Sequence, residues 1–207
     1  MKSQKLGFFL LFAAGLAYLL FQNFNRNQNI KNTPDQVSQI LAFGDNLTLG
    51  NLAEPSHSYT KKLEQLAGIT VENKGLPNET TEAALARLQN LGHPLGGELV
   101  IITLGVWDLM TRVPLTETLS NLGKIFEFFL KQGYMVVYGG FSIPPTGDNW
   151  LMAIGQLCGE YGVLYAGDLT PEEWVYKENV EFTYSPLNAQ ANERIANIVF
   201  EKISAYL

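Results

Sequence analysis

Few residues in this chain have the types that do group-transfer chemistry. There are two histidines, His57 and His93, and one cysteine, Cys158. No His or Cys pair stands at metal-ligand spacing, so no metal is expected. The glycines include no G-x-x-x-x-G-K-[ST] run, so no phosphate loop and no cofactor are expected either. Interest falls on "LAFGDNLTLG" (41–50), where a short apolar run ends in Gly44-Asp45 and is followed by Asn46 and Thr48. Thr48 and, far along the chain, Ser185 carry hydroxyls that a base such as His57 could activate as nucleophiles. The plainer readings are that Thr48 bonds the turn backbone and that Ser185 caps a helix. Asp45 reads as loop support and Asp108 as a turn or helix cap. His57 reads as a surface histidine at the rim, His93 as a loop residue, and Cys158, among apolar neighbours, as a core thiol.

These residues need elements to hold them. From residue 36 onward strand and helix signals alternate. Short apolar runs at 39–43, 69–73, 98–104, 134–139 and 162–166 predict strands. Helical spacing covers Tyr59 to Ala67, Thr80 to Leu91, Thr116 to Gln132, Trp150 to Tyr161, and about Leu187 to Tyr206. Such alternation predicts an α/β domain with a parallel sheet and helices on both faces. The runs at 98–104 and 134–139 are almost wholly apolar, as doubly covered strands are. Functional loops then lie beyond the carboxyl ends of the strands, starting at Gly44, Lys74, Gly105, Gly139 and Gly167.

The first thirty residues differ from the rest. Leu6 to Phe21 carry no charge and follow Lys2 and Lys5. As a helix this run is about 24 Å long, a little short of a ~30 Å hydrocarbon core. It has no polar face, which argues against a core helix. Residues 1–24 are expected to be an uncleaved membrane anchor, in preference to a cleaved signal peptide. The weak bias of Lys2 and Lys5 over Arg26 and Lys31 favours the domain outside the cytoplasm. Residues 25–37, polar and Asn-rich, read as a tether, with the domain from 38 to 207. All twenty acids lie from Asp35 onward, where ten Lys and Arg leave a balance of −10. An acidic body without basic clusters argues against nucleic acid as a partner.

Four segments resemble the blocks of the SGNH, or GDSL, hydrolases. "ILAFGDNLTLG" (40–50) is similar to strand-G-D-S-L-T-x-G, and "ENKGLPNETTEAALARL" (72–88) to N-x-G-x-x-G-x-T-T with its helix. "LVIITLGVWDLM" (99–110) resembles strand-x-G-x-N-D, and "YSPLNAQANERIANIV" (184–199) resembles D-x-x-H-P-N with its helix. The pattern is nearest to bacterial periplasmic lysophospholipase, thioesterase and arylesterase proteins. It implies a three-layer α/β/α, flavodoxin-like fold with five parallel strands. It also implies a bacterial inner-membrane protein with a periplasmic domain, or a periplasmic one after signal cleavage.

Residue by residue, the same resemblance implies a lost catalytic site. The nucleophilic serine falls on Asn46, the base histidine on Ser185 and its orienting aspartate on Phe182. The side-chain oxyanion donor falls on Trp107. The second-block glycine, whose N–H also donates to the oxyanion, falls on Gly75 and is kept. Losing one triad member costs a serine hydrolase about 10⁴–10⁶ in rate. The expectation is a tethered esterase-like protein that binds an acyl chain, a glycan or a protein partner, with Asp45, Asn46, Gly75, Asn78, Trp107 and Ser185 around the pocket. The alternative is an active ester or thioester hydrolase with a displaced nucleophile, Thr48 or Ser185, and His57 as base. Asn46 and Asn78 also fit the N-glycosylation pattern, but they sit in these loops, where a glycan would be an accident.

Overall fold

A computed structural model describes residues 29–50, 55–90, 98–141, 147–170 and 188–207. The chain runs β1 (Gln39–Gly44), α1 (Asn46–Leu49), a 3-10 turn (Pro55–His57), α2 (Tyr59–Ala67), β2 (Thr70–Gly75), α3 (Thr81–Asn90), β3 (Leu99–Thr103) and α4 (Val106–Met110). It continues with α5 (Leu115–Lys131), β4 (Met135–Gly140), α6 (Gly147–Tyr161), β5 (Leu164–Asp168) and α7 (Ala189–Ile203), and ends in a 3-10 turn at Ser204–Tyr206. The five strands pair in parallel in the order β2-β1-β3-β4-β5. The expected fold class is present.

Alternation along the central strands splits the core in two. Ile40, Ala42, Leu99, Ile101, Met135 and Val137 pack on one face with Tyr59 and Leu63 of α2 and Ile195, Val199 and Ile203 of α7. Leu41, Phe43, Val100, Ile102, Val136 and Tyr138 pack on the other with residues of α3, α5 and α6. Successive strand side chains point to opposite faces, so a sheet covered on both sides needs apolar residues at every position. That is why β3 and β4 are buried throughout. Helix ends are set by local chemistry. Ser58 caps α2 by accepting from Lys61 N, and Gly68 ends it in the left-handed region. Asn188 caps α7 by accepting from Ala191 N.

Two readings of the first residues meet the structure differently. The apolar run from Leu6 to Phe21 lies outside the described residues. Among those that are described, no helix is long and apolar enough to cross a membrane. The described part of the expected tether, residues 29–37, does not hang free. Lys31 N donates to Gly162 O at 3.0 Å, and Asn32 Nδ2 donates to Leu130 O at 2.8 Å. Val37 is buried. The folded body therefore begins before residue 38. Composition made the segment look like a linker, but backbone and side-chain hydrogen bonds hold it.

Candidate functional site

The chain passes from β1 outward to β2 and back across to β3, so the strand order reverses at β1. In parallel α/β sheets the crevice outside the carboxyl ends at that reversal is where ligands bind. Here the loops are laced together. Asp45 N donates to Thr103 O at 3.2 Å, and Leu76 N donates to Gly44 O at 2.9 Å. The ends of β1, β2 and β3 thus form one unit.

Asp45 is 2% exposed and is the N-cap of α1, accepting from Leu47 N at 3.0 Å. Burial pushes its carboxyl from the ordinary value near 3.8 up to about 7, against the pull of the Leu47 N–H. The nearby carboxylates of Asp108 and Glu79 add to the rise. The loop-support reading of Asp45 holds.

Asn46 follows, half-buried, and its side chain meets Asn78 in the loop after β2. Asn46 Nδ2 donates to Asn78 Oδ1 at 3.1 Å, and Asn78 N donates to Asn46 Oδ1 in a short hydrogen bond. Asn78 holds a left-handed backbone, φ 57°, a conformation that Asn tolerates better than other side chains. The carboxamide so placed is no nucleophile. Its nitrogen lone pair is delocalised, and its acceptor is already engaged by a backbone N–H. What remains at the loop surface is a set of amide N–H donors.

The expectation for Gly75 needs correction. Its N–H does not point to an open site; it donates to Asn73 Oδ1 at 2.9 Å. The backbone N–H that faces Asn46 is that of Asn78. Gly75 is required for space: a Cβ there would stand 2.1 Å from Leu49 N. Asn73 ties the region together, since its Nδ2 also donates to Thr48 O at 2.6 Å and to Thr60 Oγ1 at 3.1 Å. Sequence reasoning passed over Asn73. The signal was there, because Asn is depleted in strands and needs a reason to stand in one.

Thr48 is also corrected as a candidate nucleophile. It is fully buried, and its hydroxyl is shared with Thr103 Oγ1 in a short bond and with Tyr59 OH at 3.4 Å. A substrate carbonyl has no path to it. Burial likewise pushes the Tyr59 hydroxyl up to about 12, so it stays protonated.

Asp108 caps a helix other than its own. Its Oδ2 accepts from Thr81 N at 2.8 Å, and its Oδ1 accepts from Thr81 Oγ1 at 2.5 Å and Thr118 Oγ1 at 3.1 Å. It fixes the first turn of α3 against α5 from beneath the site. Beside it Glu79 is 5% exposed and takes a two-pronged bond from Arg87, Nε at 2.8 Å and Nη2 at 2.6 Å. Arg87 also lies over the Phe43 ring, 4.1 Å from its centroid. Trp107 stands half-buried on α4, the short helix after β3. His57 lies half-buried in the 3-10 turn before α2. Cys158 is buried and its thiol pushed up by burial, as a core residue should be. Phe182, Ser185 and His93 lie outside the described residues.

The fold matches a group of solved structures. The psychrotrophic esterase EstA from Pseudoalteromonas sp. superposes with a TM-score of 0.65 at 19% identity, covering 82% of this chain and 98% of that one. AlinE4, an SGNH-hydrolase family esterase, gives 0.60 at 23% identity over 84% and 98%. A member of the lipolytic G-D-S-L family from Veillonella parvula DSM 2008 gives 0.62 at 15% identity over 80% and 98%. This chain has the SGNH-hydrolase fold. Among curated proteins, an arylesterase from Vibrio mimicus is 31% identical over 113 residues, 52% of this chain and 56% of that protein. The match thus spans little more than half of that relative. No profile of a known protein family matches. On the SGNH fold the loops after β1, β2 and β3 are those described above, with Asn46 and Asn78 closed on each other at their centre.

Proposed function

We propose that this chain is a membrane-tethered, periplasmic SGNH-fold protein that binds a ligand or partner at the loops after β1, β2 and β3 and does not hydrolyse esters. The observation that carries this reading is the Asn46–Asn78 pairing. The resemblance puts a nucleophilic hydroxyl at Asn46, and there the chain has a carboxamide whose acceptor is engaged. A serine hydrolase without its nucleophile keeps a small residue of its rate, and further losses at Ser185 and Phe182 add little. Amide donors on Asn46 and Asn78 beside the half-exposed Leu76 suit a ligand with an acceptor and an apolar part. An acyl chain, a glycan and a protein segment all meet that description.

The test is hydrolysis of short- and medium-chain p-nitrophenyl esters by residues 29–207, beside Asn46→Ala, Ser185→Ala and His57→Ala. Background rates in all four are expected. A clear rate in the unaltered protein that disappears in Ser185→Ala or His57→Ala would overturn the binding reading.

A second reading, an esterase with a displaced nucleophile, is favoured by the 31% identity to a protein described as an arylesterase. With Thr48 sealed in the interior, that reading depends on Ser185 with His57, and the same assay decides it.

A further inference from the structure

The segment 29–38 runs along one edge of the sheet and ties to it at three strands. Lys31 N donates to Gly162 O at 3.0 Å, just before β5. Asn32 Nδ2 donates to Leu130 O at 2.8 Å and to Tyr134 O at 3.1 Å, just before β4. Ser38 N and Oγ donate to the Glu98 carboxylate at 3.1 and 2.9 Å, just before β3. Gln39 N joins the same carboxylate at 3.2 Å and begins β1. Ile30 and Val37 add apolar contacts to the core. The body is shaped to receive the segment. Gly162 holds a left-handed φ of 74°, and a Cβ there would stand 2.7 Å from Asn29 O. Asn32 is itself left-handed, φ 55°.

Gly162, Tyr134 and Glu98 each stand just before the amino end of a strand, and Leu130 is in the last turn of α5, which leads into β4. The Asn46–Asn78 loops lie beyond the carboxyl ends. In a parallel sheet those ends are separated by the strand length, roughly 17–20 Å for five or six residues. We propose that residues 29–38 are a strap that mounts the domain with its strand amino ends toward the anchoring membrane and its Asn46–Asn78 loops facing away. The site then draws its ligand from the aqueous side and not from the bilayer that holds the chain. This rests on the reading of Leu6 to Phe21 as a membrane anchor.

Reach supports the orientation. With residues 25–38 free, the domain could wander as far as about 46–50 Å from the bilayer in any pose. With the strap docked, only residues 25–28 stand between it and the expected anchor, and four residues span at most about 13–14 Å. Asn29, where the strap begins, lies against Gly162 just before β5, and the site sits at the far end of β1 and β2. To bring the site to the bilayer that short linker would have to double back along nearly the full height of the domain.

The test uses the full chain in phosphatidylethanolamine/phosphatidylglycerol vesicles with an energy acceptor on the outer headgroups. Gln132→Cys, at the amino end of β4, and Leu76→Cys, in the loop after β2, are each labelled with a donor dye; buried Cys158 does not react in the folded protein. Transfer from position 132 is expected to exceed that from position 76 several-fold. In Asn32→Pro/Glu98→Ala, which forbids the left-handed strap and removes its carboxylate, the difference is expected to collapse. Equal transfer from both positions in protein that floats with vesicles would overturn the orientation alone. An unchanged difference in the strap variant would overturn the strap as its cause. Failure to float would overturn the anchor, and the orientation with it.

Discussion

Asn46 and Asn78 close on each other across the ends of β1 and β2. The Asn46 carboxamide accepts the Asn78 backbone N–H through Oδ1 and donates to the Asn78 side chain through Nδ2 at 3.1 Å. The two bonds join the loops after β1 and β2, and Asn78 makes them from a left-handed backbone. Asn46→Ala is expected to cost about 1 kcal/mol, because both bonds are near the surface and exchange with water. Asn78→Ala should cost about 1 kcal/mol more than Asn78→Gly, since Gly enters the left-handed region without penalty and keeps the N–H. Urea midpoints of the three variants check this order. Asn46→Ser by itself is expected to show no ester hydrolysis above background, since Ser185 and Phe182 remain where the resemblance places base and orienter.

Thr48 separates structural from chemical use of a hydroxyl. It is buried with Thr103 and Tyr59 around it. Thr48→Val keeps the shape and removes one member of a buried three-hydroxyl cluster in which Thr103 and Tyr59 still meet each other, at a cost of about 1 kcal/mol. The expected outcome is a lowered melting temperature with no change in any ester hydrolysis rate. A rate that fell with Thr48→Val in still-folded protein would restore the displaced-nucleophile reading.

Asp45 gives the fold an unusual pH dependence. Most carboxylates bind protons less tightly when folded. Asp45, pushed up to about 7 by burial, binds its proton more tightly in the folded state. Its contribution to stability is therefore complete below about pH 4, is lost as pH rises from about 4 to about 7, and stays lost above that. A shift of this size amounts to about 4 kcal/mol at the outside, falling at about 1.4 kcal/mol per pH unit. Asp45→Asn keeps an acceptor for Leu47 N–H and removes the titration. Unfolding free energies across this range should decline for the natural chain and be flatter for Asp45→Asn, with the variant the more stable near pH 8.

Strands and long helices were legible because burial on both sheet faces forces continuous apolar runs, and Ser58, Gly68 and Asn188 mark helix ends by their own chemistry. The α2 bounds, Tyr59–Ala67, coincide with the helical spacing. The four-residue α1 and five-residue α4 are too short to show a period, and both were missed. The strap was missed for another reason. Its hold on the body comes from Asn32, Ser38 and backbone groups meeting residues about 60 to 130 positions away, and no local pattern encodes such bonds. At the candidate site, the motif spacing pointed to the loops after β1, β2 and β3, and these are laced together. The resemblance assigned the available N–H to Gly75 and not to Asn78, because the second-block glycine falls on Gly75. Only the three-dimensional path shows that Asn73 has taken the Gly75 N–H.

Arg87 and Glu79 hold the second-strand loop from below. The pair is bidentate, Glu79 is 5% exposed, and Arg87 also donates to Lys74 O at 3.1 Å while covering the Phe43 ring. Removing only the cation leaves a buried carboxylate without its counter-ion next to Asp45 and Asp108. Arg87→Met is expected to cost about 3 kcal/mol or more. Replacing both, Arg87→Met/Glu79→Met, should recover most of that loss, because neither charge then needs solvation and two apolar chains fill the space. Arg87→Lys should fall between, since an ammonium cannot make the two-pronged bond or lie flat on the ring. Chemical denaturation of the four proteins reads the order directly. A double variant no better than Arg87→Met would mean that the loop depends on the Lys74 and Phe43 contacts of the guanidinium and not on charge pairing.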